Sequence, residues 1–251
     1  MRRVEEVLMT EDLERGVHRA VGMSDMASLL TVALRFPESE DLSAALNDGA
    51  FLSDWADSWL DACDGAEFDP GVVERCGASF ARADHVSLRR EYSRLFLAPG
   101  LDVPVWSYES CFLHRASDAE GVPSLFRTRV ALDVEKQMAE AGVKSSTART
   151  EPVDAVHKEF EFLAYLYAQW GEALRRADAG EFVDESDVIW AGRIVSFATG
   201  HVLKWLPDFM QQVKEQSRLD AYCAFADLGL LYLEEVEKDV RVFSAEKAVA
   251  S

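Results

Sequence analysis

The chain has 251 residues, 49% of them hydrophobic, enough to bury a substantial core without disulfide or metal staples, which excludes a disordered protein. Its 26 Lys and Arg stand against 45 Asp and Glu, a formal net charge of -19; this field disfavours nucleic acid and anionic lipid and favours cationic partners, although acidity also serves solubility alone. No apolar run reaches the ~18 residues of a membrane span, and Arg2-Arg3 is followed at once by Val4-Glu5-Glu6, so neither membrane insertion nor an export signal is expected and the default address is cytoplasmic.

Hydrophobic residues recur with helical period along nearly the whole chain, and almost nothing alternates at period two, so an all-α fold is predicted. An acidic helix around residues 3–20 precedes a core helix from about Met23 to Arg35, which stops before Phe36-Pro37 because proline disfavours helix in the residue before it. Short helices follow at about 40–48, 51–63, 70–83 and 86–96. In the last of these Leu88, Tyr92, Leu95 and Phe96 share one face, while Arg89, Arg90, Glu91 and Arg94 take the other.

Pro99, Gly100 and Pro104 make residues 98–107 a loop. It carries Leu101, Val103, Val105, Trp106 and Tyr108, which either form an exposed binding patch or plug the gap between helices. A short helix is predicted over Ser107–His114. A longer one spans Ser124–Ala141, with Phe126, Val130, Val134 and Met138 four residues apart.

The small polar stretch 143–150 reads as a linker between two helical halves, 1–142 and 151–251. The second half opens on Glu151-Pro152-Val153-Asp154, leading into a helix with Phe160, Leu163, Tyr167, Trp170 and Leu174 as an apolar seam. A helix from about Glu185 breaks or bends near Gly200 and continues to Gln216. The last spans about Leu219–Val240, giving about ten helices in all.

Chemistry leaves few marks. The cysteines Cys63, Cys76, Cys111 and Cys223 form no CxxC pair and no Cys–His zinc spacing, so buried, reduced thiols are expected. Asp154, His157 and Glu161 share a helical face, but a di-iron bundle needs Glu-x-x-His from two helices and none is present. Phosphate-cradling glycine loops, His-Glu-x-x-His and a nucleophile elbow are absent too, so no cofactor, metal or catalytic residue is assigned.

Three motifs in order carry a resemblance. Glu91-Tyr92-Ser93-Arg94-Leu95-Phe96 is followed by Pro99-Gly100, Pro104 and Tyr108-Glu109-Ser110-Cys111-Phe112. Glu151, Pro152, Asp154, Glu159, Phe162 and Leu163 then match a Glu-Pro-x-Asp-His-x-x-x-Glu-x-x-Phe-Leu pattern, and Phe197, His201, Trp205, Pro207 and Phe209 complete the set. Together they resemble the TorD/DmsD/NarJ-like redox-enzyme maturation chaperones, with Ala33-Leu34-Arg35-Phe36-Pro37, Leu42 and Leu46 fitting the family's first helices. Ala155 stands where that family usually has histidine. His157 does not replace it, because two positions along a helix turn a side chain by about 200°.

The resemblance implies an all-helical, non-enzymatic cytoplasmic chaperone, as monomer or homodimer. It would bind the twin-arginine signal peptide, the apo form, or both, of a molybdopterin-dependent oxidoreductase catalytic subunit during cofactor insertion. The alternative is a helical enzyme with an unrecognised metal or nucleotide site, or a structural interaction protein unrelated to export. A twin-arginine leader is a basic segment followed by an apolar one, so it needs carboxylates beside an apolar surface. Glu151, Asp154, Glu159 and Glu109 are the candidate carboxylates, and Trp106, Tyr108 and Phe112 the candidate apolar contacts. Asp154 also suits a helix cap, worth about 1 kcal/mol, and His201 and Trp205 read as core residues one turn apart.

Overall fold

A computed structural model of the protein describes residues 2–98, 102–117, 121, 123–144, 151–181 and 186–250, with helical backbone alone at 2–10 and 246–250. Pro99, Gly100 and Leu101 of the loop, residues 145–150 of the linker and the predicted helix start at Glu185 lie outside them. The described residues form eleven α-helices and no strand, an all-α fold as expected. In chain order these are α1 (Arg2–Ala33), α2 (Asp41–Asn47), α3 (Ala50–Ala62), α4 (Pro70–Phe80), α5 (His85–Phe96), α6 (Glu109–Ala116), α7 (Arg129–Glu140), α8 (Val156–Asp178), α9 (Asp187–Phe197), α10 (Leu203–Gln216) and α11 (Asp220–Ala250). A π turn, Ala198–Val202, joins α9 to α10.

Three boundaries differ from the sequence reading. The two helices expected before Phe36 are one, α1, since no proline interrupts it and its glycines serve packing rather than a stop. A Cβ on Gly22 would lie 2.2 Å from the Ser58 carbonyl oxygen and 2.9 Å from the Ala62 Cβ, so only glycine lets α1 and α3 approach this closely. Helix α7 begins at Arg129 and not at Ser124: Arg127 takes a left-handed φ of 56°, and Thr128 caps the helix by accepting the Ala131 N–H at 3.0 Å. Phe126 therefore precedes the helix and is exposed, outside the expected stripe of Val130, Val134 and Met138. Helix α8 begins at Val156, after the acidic stretch rather than within it.

Helix α8 lies at the centre. Its predicted seam of Phe160, Leu163, Tyr167, Trp170 and Leu174 is buried, and so are Phe162, Ala164, Leu166 and Ala173 on its other faces. Helix α1 packs along α8 and α3, α9 lies against α8, and α10 pairs with α11. One hydrophobic cluster runs from Ala20 on α1 to Phe243 on α11. Burial of that area drives folding, at roughly 25 cal/mol per Å² of apolar surface.

Two polar clamps cross this core. Arg19 on α1 donates to Asp239 at 2.5 Å and to Glu235 at 3.2 Å on α11, and to the Ala62 carbonyl at 2.6 Å; Tyr167 of α8 donates to the other Asp239 oxygen at 2.8 Å. Burial raises Asp239, and the Arg19 guanidinium only partly offsets it. On α5, Glu91 accepts both a forked pair of bonds from Arg94 and the Arg218 N–H at 2.6 Å, while Arg94 donates to the Gln216 carbonyl. The charged half of the Glu-Tyr-x-Arg-Leu-Phe motif thereby fixes the turn between α10 and α11. Its Tyr92, Leu95 and Phe96 are core.

Candidate functional site

The chain passes one place three times, at the start of α6, at the turn before α8 with that helix's first turns, and at the π turn. Val156 donates its N–H to the Ser107 carbonyl and Glu109 donates to the Asp154 carbonyl, both at 2.9 Å, with Tyr108 opposite Ala155 in a one-rung antiparallel bridge. The rung ties the entrance of α6 to the entrance of α8. Asp154 strengthens it: its Oδ2 accepts the Ser110 N–H at 3.0 Å. Asp154 is thus a cap, but of α6 across the pair and not of its own helix, whose N-cap is Ala155 with no side-chain bond. An acceptor here satisfies one of the N–H groups a helix start leaves unpaired and meets the positive end of its dipole.

Ala155 is 1% exposed and brings no polar atom to the site. His157 lies elsewhere, 3.4 Å from Glu151, whose carboxylate also meets Lys158 at 3.2 Å. The bond from His157 outweighs partial burial and, with the charges of His157 and Lys158, brings the Glu151 carboxyl down to about 2. Glu151 is half-buried and the most accessible of the four expected carboxylates, its side chain 38% accessible.

Beneath this rim lies a largely buried polar cluster, with Asp133 at its exposed edge. The π turn turns His201 inward, where Nδ1 meets Glu109 Oε2 at 2.7 Å and Nε2 meets Asp133 Oδ2 of α7 at 3.0 Å. Carboxylate oxygens only accept, so an imidazole bonded to one at each nitrogen carries protons on both. Burial alone would lower the His201 pKa, but the bond and charge of Glu109, joined by Asp133, raise it. Next to this pair, the Trp205 Nε1–H donates to Glu159 Oε2 at 2.9 Å. Burial first, then the neighbouring Glu109 charge, push the Glu159 carboxyl well above the usual range; the Trp205 bond opposes them. Asp154 Oδ1 and Glu159 Oε1 are buried with no hydrogen-bond partner among the described residues.

The four-residue spacing of Phe197, His201, Trp205 and Phe209 has a geometric cause. In a regular α-helix each step of four overshoots a full turn by about 40°. The wider π turn takes up part of that drift, so all four side chains are buried. Phe112 packs on Trp205 and Phe209 with ring centroids 5.5 and 6.3 Å apart, and Phe197 lies over the His201 ring at 5.3 Å.

Of the seven site residues expected from sequence, Glu109, Phe112, Asp154 and Glu159 come together in this buried cluster, while Trp106, Tyr108 and Glu151 lie half-buried above it. Val105 is no part of an exposed patch: it is fully buried and its N–H donates to the Leu95 carbonyl at 3.1 Å. Sequence reasoning left out Asp133 and Ser110, and placed His201 and Trp205 in the core without their carboxylate partners. The spacing of motif residues signalled the latter two; nothing local signals Asp133. Among the described residues no three His, Cys, Asp or Glu side chains are arranged to hold a metal ion. Burial pushes the Cys111 thiol up to about 11, away from thiolate reactivity.

A family model described as nitrate reductase delta subunit matches residues 66–211, more than half the chain and the whole of this cluster. The chain belongs to the nitrate reductase delta subunit family. This is a family of NarJ/TorD-like molybdoenzyme maturation chaperones, the group that the three motifs resemble. No curated protein matches the chain. Within this delta-subunit member, the motif residues Glu109, Asp154, Glu159, His201 and Trp205 are joined by hydrogen bonds that span α6, the turn before α8, α8, the π turn and α10. No helix among the described residues is long and apolar enough to cross a membrane.

Proposed function

We propose that this delta-subunit family member is a cytoplasmic chaperone. It holds the twin-arginine leader, the apo form, or both, of a molybdenum-cofactor oxidoreductase catalytic subunit until the cofactor is in place. The observation that carries this reading is the family match over residues 66–211, because that span contains every residue of the polar cluster and the rim above it. The net charge of -19 agrees with a cationic client segment.

In this reading Trp106 and Tyr108 offer ring surface to the apolar part of the client, and Glu151 offers a carboxylate to its arginines. Such an arginine competes with His157 and Lys158 for Glu151, and gains from its forked geometry. Glu109, Phe112, Asp154 and Glu159 act from below, holding α6 and the segment before it where the rim is needed.

Calorimetric titration with the leader peptide of a molybdoenzyme encoded beside this chain, and separately with its apo subunit, tests the proposal. Binding is expected with the twin-arginine leader and weaker with a twin-glutamine version. Heat from neither leader nor subunit sinks it.

A further inference from the structure

Two acids face each other at the centre of the cluster. Glu109 is 1% exposed and Glu159 0%; His201 holds the one and Trp205, one helical turn further on, holds the other, which brings the Glu109 charge to bear on Glu159. Glu159 Oε2 is occupied by the Trp205 N–H, and its Oε1 is buried with no donor. Glu109 Oε2 is occupied by His201. If both acids were ionised, two like charges would meet without water between them, and the oxygens left over would all be acceptors. One proton converts that repulsion into a hydrogen bond, as in other carboxyl pairs that share a buried site.

The surroundings say which acid holds it. Glu109 touches the charged His201 ring and stands in the first turn of α6, where the dipole favours an anion. Among the described residues Glu159 has only the neutral Trp205 donor. The other groups facing the pair bring no compensating charge: Asp154 from the turn before α8 is a further acid, and Cys111 on α6 is a thiol. His201 divides its charge between Glu109 and Asp133 of α7, and His157 and Lys158 are turned to Glu151.

We propose that Glu159 is held as a neutral carboxylic acid whose Oε1–H donates to the Glu109 carboxylate, so that one proton joins α8 to α6 and positions the rim at Trp106 and Tyr108. The upward push on Glu159 from burial and from Glu109 agrees with this placement. Loss of the proton at alkaline pH leaves two buried anions, forces α6 away from α8 and shifts the rim. The effect on client affinity rests on the proposed leader binding; the shared proton does not.

Infrared spectroscopy of the full chain in deuterated buffer reads the proton directly, because a protonated carboxyl absorbs apart from carboxylates and amides. A carboxylic-acid band is expected at neutral pH in the wild type and is lost in Glu159→Gln, whose amide N–H donates to Glu109 while its oxygen accepts from Trp205. Should that variant not fold, Glu109→Gln serves, since it replaces the carboxylate acceptor of the proton by an amide and the band moves or is lost. No band in the wild type, or one that neither moves nor weakens in the folded variant, overturns the proposal.

Leader titrations then test the positioning role. Wild-type affinity falls at least tenfold from neutral to alkaline pH, and falls less in Glu159→Gln, where His201 still titrates but Glu159 does not. A band that behaves as expected beside a wild-type affinity that ignores pH overturns that role. A protein that shows the band yet binds no leader at any pH overturns the client reading and leaves the shared proton standing.

Discussion

Replacing Asp154 separates a helix cap from a client contact. Asp154→Ala removes the acceptor of the Ser110 N–H, a donor on a residue only 8% exposed. Losing a cap costs about 1 kcal/mol, and leaving a buried donor unpaired costs about 1–3 kcal/mol, two descriptions of overlapping losses. Against this, the substitution also removes the buried, unpartnered Oδ1, which returns part of the loss. A net destabilisation of about 1–2 kcal/mol follows, or a melting temperature lower by about 2–8 °C for a chain of this size. Asp154→Asn keeps an oxygen for Ser110 and loses less than about 1 kcal/mol.

Calorimetric melting of the three proteins measures this order. If the asparagine variant is as unstable as the alanine one, charge and not the hydrogen bond is what matters, and the capping argument is wrong. Leader titrations on the folded variants add the second reading. Asp154→Ala is expected to weaken binding by more than its stability loss accounts for; unchanged affinity makes Asp154 a cap alone.

Stability responds to pH on both sides. His201 has a raised folded pKa, so its contribution is complete below its ordinary 6.5 and disappears as pH rises through the folded value; the raised Glu159 acts in the same sense. Glu151, lowered to about 2, contributes above its ordinary 4.5 and loses that contribution as pH falls toward 2. Melting temperatures are therefore expected to be highest in mildly acidic buffer, and a maximum at alkaline pH refutes the assignment. Arg19→Ala leaves Asp239, 3% exposed, without its cation and Glu235, 4% exposed, with Lys238 alone, and is expected to cost about 3–5 kcal/mol by urea denaturation, with Arg19→Lys recovering only part; a loss below about 1 kcal/mol contradicts the buried clamp. Trp106→Ala, at a half-buried rim position, is expected to weaken the leader roughly tenfold with the melting temperature nearly unchanged, and equal affinities remove Trp106 from the client surface.

Helix periodicity was legible residue by residue. The seam on α8, the stop at Phe36-Pro37 and the interruption near Gly200, which the fold realises as a π turn, all follow from side-chain spacing and backbone sterics, which act within a few residues. Local rules faltered where a distant element decided the outcome. The single α1 depends on α3 and α8 closing over its glycines, and the late start of α7 depends on a cap at Thr128 rather than on the apolar spacing through Phe126.

For the site, motif order pointed to Glu109, Asp154, Glu159, His201 and Trp205 but not to their partners. Asp154 is the clearest instance: the sequence places it before α8 and suggests a cap there, while the fold brings its carboxylate to the Ser110 N–H of α6. Asp133 is invisible in the sequence because an exposed acid on an amphipathic helix is ordinary, and only the π turn's delivery of His201 gives it a role.

What the sequence by itself determined is the all-helical class, the acidic character and the kinship to a family of molybdoenzyme maturation chaperones. What only the tertiary structure decided is which charges are buried against each other. Helical period is a property of neighbours along the chain, whereas the meeting of Glu109, Glu159 and His201 depends on where α6, α8 and the π turn come to rest, and no spacing within any one of them encodes that distance.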